Sequence, residues 1–367
     1  MSAGKGGVAP HILHIFPDDS AIELIRAFGT KLRHTLVTRD GTLPTGLSRS
    51  PYLKAASDFP SLEGFPTLGR MQKLARAMTP FDLVLTHGWE GLDAAMAHTL
   101  FKDAMDLPAL VHHEHEPDAR HSLRRKWYRR LALGKAAGLV VPGEYLEGRA
   151  LVDWQQPMGR VKRIAPGIDA KAFAKKPKRD SFRLIKHDGE MWVGVWPDRF
   201  DGKALVSVIQ ALADLEEQWQ LIVLGERQDS APLDNLIDEL AINARVHFPG
   251  PVADPARVMG LFDLFVVVGE TDAFPRRTAE AMAAALPVIA PQDSESVQLL
   301  AEENREWSAD TQTASILSAN LRGLAEDTAA RARIGEANRA RAVQLYDRDK
   351  TVATYRRLYA SAMKQEF

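Results

Sequence analysis

The sequence predicts an α/β protein built from two doubly wound domains, and three observations point to it. Its 367 residues suffice for two domains of ordinary size, each able to bury a core. Short runs of Val, Ile, Leu and Phe recur along the chain, each followed by a turn and a segment of helical spacing, which is the alternation that builds parallel sheets. The clearest case runs from Leu264 to Pro291, LFVVVGETDAFPRRTAEAMAAALPVIAP, and reads as strand, loop, helix and second strand.

Composition narrows the class. With 47 basic and 48 acidic residues the net charge is −1, so no nucleic-acid partner is expected. The chain has no cysteine, which removes disulfides, a thiol nucleophile and any thiolate metal site. No apolar run approaches the eighteen or so residues of a membrane span, and no secretion signal opens the chain. The expectation is a cytoplasmic protein that meets a membrane, if at all, from one face.

In chain order, Met1 to Pro10 contains GKGG without a preceding strand and reads as a tail. His11 to Phe16 is the first strand, and Pro17 to Ser20 the loop after it. A helix follows over about Ala21 to Leu32, with Ile22, Ile25 and Phe28 at helical spacing and Asp19 or Ser20 as its cap. His34 to Thr38 is the second strand, and Gly41 to Pro66, dense in Pro, Gly and Ser, is a long loop. Phe81 to His87 and Pro108 to His115 are further strands. The second of these ends in HHEHE, where alternation places His113 and His115 on one side and His112, Glu114 and Glu116 on the other. Two histidines on one face make an incomplete metal set, so no metal is expected there. Arg120 to Arg130, RHSLRRKWYRR, is a basic helix with Leu123, Trp127 and Leu131 along one side and Arg125, Lys126 and Arg129 across from it. Gly138 to Pro142 is a strand. Lys175 to Asp180, KKPKRD, is of linker type, and the expected division is 1–178, 179–345 and a final segment 346–367.

The later half repeats the pattern. Its strands are Trp192 to Trp196, Gln220 to Gly225, Arg245 to Pro249, Phe265 to Val268 and Val288 to Ala290, with a helix from Ala204 to Ala213. Pro275 sits where a helix has its first residue, and Arg276 to Ala285 is rich in good helix formers. The loop Gly269 to Phe274 therefore lies at the carboxyl end of a strand and the amino end of a helix. Open α/β sheets bind ligands there, and free N–H groups attract phosphate. No G-x-G-x-x-G follows any predicted strand, which argues against a dinucleotide enzyme.

Two acids, Asp272 and Glu280, flank this turn with seven residues between them. The stretch D-AFPRRTA-EAMA followed by PVIA resembles the signature of retaining nucleotide-sugar glycosyltransferases of GT-B architecture, the family 4, glycogen-synthase-like type. The resemblance implies two facing Rossmann-like domains, with the segment from Tyr346 to Met363 as a closing helix that crosses back to the first. It implies that Asp272 contacts hydroxyls of the transferred sugar and Glu280 the ribose. The turn Ala273, Phe274, Pro275 and Arg276 would lie beside the diphosphate, and Gly250, Pro251 and Val252 would face the base. Arg199 and Lys203 match the cation pair that clamps the diphosphate, and His115, with His113 as second choice, matches the residue over the reactive carbon. Asp18, Asp19 and His87 fall on the acceptor side. The chain departs from the signature at Asp272 (usually Glu, with Glu270 as the fallback), at Ala204 and Ala285 (each usually Gly), and in the first loop, which is Pro-Asp-Asp-Ser rather than Gly-rich.

The activity so implied is transfer of a sugar from a UDP- or GDP-sugar to a hydroxyl of a lipid-linked or saccharide acceptor, without metal or other cofactor. Two rivals are an epimerase or hydrolase of nucleotide sugars and a catalytically weak sugar-nucleotide-binding partner subunit. The basic helix Arg120 to Arg130 adds the expectation of peripheral contact with an anionic membrane surface.

Overall fold

The computed structural model describes residues 9–43, 50–115, 122–175, 177, 182–197, 202–227, 231–268, 274–311 and 313–367. The chain divides into two units, Met1–Ala165 with Thr351–Phe367, and Pro166–Lys350. The sequence reading placed these divisions at 178/179 and 345/346.

In the first unit seven parallel strands form one sheet: β1 His11–Ile15, β2 Arg33–Val37, β3 Leu53–Ala55, β4 Leu83–His87, β5 Ala109–His113, β6 Gly138–Val141 and β7 Val161–Arg163, in the order β3-β2-β1-β4-β5-β6-β7. The central strands are buried because both faces are covered, all five residues of β4 among them, and they are apolar except for the histidines and Thr86 toward their ends. The chain builds β2 and β3 on one side of β1 and then crosses to β4 on the other, so the loops after β1 and β4 flank the point where strand order reverses. Strand β3 lies inside the segment expected to be loop; it pairs with β2, His34 opposite Leu53, and buries Leu53.

The first helix runs Asp19–Phe28. Its cap is Asp18, whose Oδ1 accepts from the Ala21 N–H at 2.9 Å, and not Asp19 or Ser20. Gly29, with φ 54°, ends it short of Leu32. The last helix, Arg348–Met363, belongs to this unit from Thr351 on, and sets Tyr355 and Tyr359 among Ile12, Leu83, Val111 and Val140.

The helix Leu123–Ala132 has the two sides read from the sequence, and it is the apolar one that faces outward. Leu123, Trp127 and Leu131 face solvent, 72%, 57% and 57% exposed, while Arg129 is buried. Its guanidinium lies 4.9 Å from the rings of both Trp89 and Trp154 and donates to buried Glu114 at 2.9 Å. Arg125 stacks on Trp89 at 4.3 Å, and Lys126 pairs with Asp153 at 2.8 Å. Burial by itself pushes the Glu114 carboxyl up, but His112 and Arg129 together hold it down at about 2. Cation–π contacts and a desolvated carboxylate thus decide which side of this helix faces in.

The second unit carries five parallel strands, β8 Met191–Val195, β9 Trp219–Leu224, β10 Val246–Gly250, β11 Leu264–Val266 and β12 Val288–Ile289, in the order β10-β9-β8-β11-β12. Its core is continuous from Val193 and Val195 through Leu205, Ile209, Leu221 and Leu264 to Leu317 and Ile334. The helix after β11 runs Arg276–Ala283 with Pro275 at the cap position, and stops at Ala284 rather than at Pro287. Ala285 then adopts φ 61°, the left-handed region that a glycine enters freely and an alanine only at a cost of about 1–2 kcal/mol. This backbone demand explains physically why glycine is the usual residue at that position of the signature.

Candidate active site

The carboxyl ends of β1, β4 and β5 carry a row of imidazoles, joined by His34 from near the start of β2. His14 Nε2 lies 2.9 Å from His34 Nδ1, and the rings of His14 and His87 stack at 6.0 Å. Those of His87 and His113 stack at 4.6 Å, and His113 Nε2 meets the Tyr359 hydroxyl at 3.0 Å. Burial lowers the pKa of His14, His87 and His113 well below the ordinary histidine value, and neighbouring imidazoles lower each further. His34 is lowered to about 4 by burial, with His11 adding to the effect. The alternation read in HHEHE holds over residues 112–115, Glu116 lying outside the described residues: His113 and His115 stack on one side at 6.2 Å, and His112 faces Glu114 on the other at 3.9 Å.

At the open end of this row the structure gathers Asp18, His87 and His115, which the sequence had placed on three separate segments. His87 Nδ1 is 3.5 Å from His115 Nε2 and 3.8 Å from Asp18 Oδ1, and His115 Nε2 is 3.5 Å from Asp18 Oδ2. His87 is buried, whereas Asp18 and His115 are partly exposed, so the group has an open rim. Asp19 is exposed in the first turn of the helix that Asp18 caps.

In the second unit the organising residue is Glu280, 2% exposed on the helix Arg276–Ala283. Arg276 Nε donates to its Oε1 at 3.1 Å and the Arg277 guanidinium to its Oε2 at 2.7 Å. Arg277 also lies 3.9 Å over the ring of Trp196, which follows β8. The helix begins without a side-chain cap, and the N–H of its first residue, Arg276, donates to the Phe274 carbonyl at 2.8 Å. Phe274 and Pro275 are buried just before it, Phe274 edge-on to Tyr346 at 5.7 Å. Gly250 closes β10 with φ 90°, Pro251 is exposed and Val252 is partly buried. Lys203 is exposed in the first turn of the helix Gly202–Ala213 that follows β8.

Arg199, Glu270, Asp272 and Ala273 lie outside the described residues, as do Arg120 and His121 at the start of the basic segment. The sequence reading missed Arg277 and Trp196 as partners in the Glu280 constellation. The signal was present in the unusual pair Arg276-Arg277 opening a helix, since two cations in a first turn oppose the helix dipole unless an acid or a ligand compensates them.

Residues 20–172 match the family described as Glycosyltransferase Family 4, and residues 186–341 match Glycosyl transferases group 1. Among solved structures, Anabaena Alr3699/HepE in complex with UDP is similar at TM-score 0.76 and 18% identity, over 96% of this chain and 100% of that one. A glycosyltransferase from Rickettsia africae gives TM-score 0.76 at 15% identity, over 97% and 99% of the two chains. WaaG, a glycosyltransferase involved in lipopolysaccharide biosynthesis, gives 0.62 at 16% identity, over 94% and 99%. At these identities the likeness is one of fold. No curated protein matches the chain.

Proposed function

We propose that the chain, which matches Glycosyl transferases group 1 over residues 186–341 and Glycosyltransferase Family 4 over residues 20–172 and has the two parallel-sheet units of GT-B architecture, transfers a sugar from a UDP-sugar to an acceptor hydroxyl with retention at the anomeric carbon. The observation that carries the donor half is buried Glu280, held between Arg276 and Arg277 at the uncapped start of a helix after β11. A buried carboxylate there accepts ribose hydroxyls, the positive end of the helix and the arginines meet the diphosphate, and Lys203 with Arg199 neutralises charge as the leaving group departs. That Anabaena Alr3699/HepE is solved with UDP and with UDP-glucose supports uracil as the base.

In the step proposed, the bond between the anomeric carbon and the diphosphate oxygen breaks, and the acceptor oxygen bonds to the same face of that carbon. The acceptor's proton passes to the departing phosphate oxygen, leaving UDP and the glycoside. No covalent intermediate and no metal is required on the diphosphate; position and charge carry the catalysis. The test is to incubate the full chain with UDP-glucose and a panel of glycolipid and oligosaccharide acceptors, and to read the anomeric configuration by proton NMR. An α-linked product is expected. UDP release in the absence of any acceptor, with no glycoside formed, would identify a hydrolase instead.

For the acceptor, the proposal is a lipid-linked hydroxyl met at a membrane surface, supported by WaaG and by the outward stripe Leu123, Trp127 and Leu131 with Arg124 exposed beside it. Among the described residues no helix is long and apolar enough to cross a membrane. Such a stripe enters the headgroup boundary from one side while cations stay with anionic lipid. Because Arg125 and Arg129 are committed to Trp89, the variants that test it are Trp127→Glu and Leu131→Glu. Each is expected to weaken sedimentation with anionic vesicles by about tenfold, the scale of burying one large apolar side chain. Binding unchanged in the double variant would assign the stripe to another role and favour a soluble saccharide acceptor.

A further inference from the structure

We propose that Asp18, His87 and His115 form a site for one divalent transition-metal ion, of which zinc is the type, at the point where strand order reverses in the first unit. One residue comes from each of three neighbouring strand ends, those of β1, β4 and β5. Their facing atoms, His87 Nδ1, His115 Nε2 and the Asp18 carboxylate, are separated by 3.5, 3.8 and 3.5 Å, all within 4.8 Å of one another. Those separations are long for hydrogen bonds, whose heavy atoms sit about 2.7–3.2 Å apart. They are close to what an ion demands: bonds of about 2.1 Å at tetrahedral angles put ligand atoms about 3.4 Å from each other. The three groups converge on a common point more closely than they bond to one another.

The donor set selects the ion. Two imidazoles and one carboxylate suit zinc, copper or nickel, whereas magnesium and calcium call for oxygen ligands throughout. Two of the ligands are held in place before any ion arrives. Asp18 is fixed by the Ala21 N–H, and His87 is buried and stacked on His113 at 4.6 Å. Three protein ligands leave a fourth position open toward the rim, for water or for a hydroxyl.

The ion is inhibitory in this assignment, and that part rests on the proposed glycosyl transfer together with the role that the family resemblance implies for His115, over the reacting carbon. A metal on His115 Nε2 ties up that side chain and occupies the space beside it. Zinc is therefore expected to suppress transfer and a chelator to restore it.

The experiment is a titration of chelator-stripped full-length protein with Co²⁺ and with Zn²⁺, followed by visible absorption and calorimetry. One ion per chain is expected, with the intense visible bands of tetrahedral cobalt, displaced by zinc. Asp18→Asn and His115→Ala should each weaken binding by more than about tenfold, the loss already typical of outer-shell partners. Both side chains are partly exposed and asparagine retains the helix cap, so circular dichroism should show an unchanged fold. Absence of a cobalt spectrum in the native protein, or equal affinity in both variants, would overturn the site and leave the glycosyltransferase reading intact. Turnover that requires metal while the cobalt spectrum appears as expected would support the site and remove its inhibitory role.

Discussion

Acidification from pH 6.5 to 4.5 is expected to open the first unit while the second stays folded. His14, His34, His87, His98, His112 and His113 are all buried there with pKa values lowered chiefly by burial, to about 4 for His34 and His98. The unfolded chain protonates these groups near pH 6.5 and the folded chain does not, so stability is complete above that pH and is lost as pH falls toward the folded values. Each such group costs about 1.4 kcal/mol per pH unit across its window, or on the order of 3 kcal/mol for His34 and for His98, against a total stability of about 5–15 kcal/mol. Nearby charges do not reverse the sign. His14 faces His34 and His113; His87 faces His115, His14 and His112 and has the Asp18 carboxylate 3.8 Å away, yet its pKa is still lowered; and His112 has Glu114 raising it against burial. Glu114 itself, lowered to about 2, adds a further loss below about pH 4.5. In the second unit His247 is the one described histidine with a lowered value. The measurement is the urea midpoint by circular dichroism across this range, with hydrogen exchange assigning the segment that opens. A midpoint independent of pH would show that the imidazole row is hydrated and not held neutral by burial.

Replacing Lys203 by Ala is expected to lower kcat by about a hundredfold or more with little change in thermal stability. The side chain is exposed on the first turn after β8, so the fold does not depend on its burial. Removing one preorganised charge from a leaving group costs roughly 3–4 kcal/mol of transition-state stabilisation. Glu280→Gln is expected to act differently, raising KM for the donor and destabilising the second unit, since Arg276 and Arg277 would lose a buried counter-charge. An activity for Lys203→Ala within about threefold of the native enzyme would remove the lysine from the diphosphate.

Much of this was legible because the informative patterns are local. Strand periods gave most strands of both sheets, usually within two residues, while the helices Leu68–Met78 and Leu92–Met105 and the strand Leu53–Ala55 went unread, and the alternation in HHEHE correctly separated His113 and His115 from His112 and Glu114. The match from Asp272 to Ala290 gave the position of Glu280 before any coordinates. What stayed hidden depends on partners distant in sequence. The orientation of Leu123–Ala132 is decided by Trp89, Trp154 and Glu114, none of which a helical wheel contains. The meeting of Asp18 with His87 and His115 required the strand order, which placed β1, β4 and β5 side by side. Ala285 read as a departure from a motif until its positive φ supplied the reason for the motif.

The final helix also sets the order in which this chain is completed as it is made. Residues up to Ala165 emerge from the ribosome first, yet their core includes Tyr355 and Tyr359, and His113 is paired with Tyr359. All of Pro166–Lys350 must be translated in between, on the order of ten to forty seconds at about 5–20 residues per second. During that interval the amino-terminal sheet exposes the surface on which the last helix will lie, and the second unit, although synthesised later, has every one of its residues available sooner. The nascent chain is therefore expected to finish its second unit before its first, and to need protection of that open surface until Thr351–Met363 has emerged and docked.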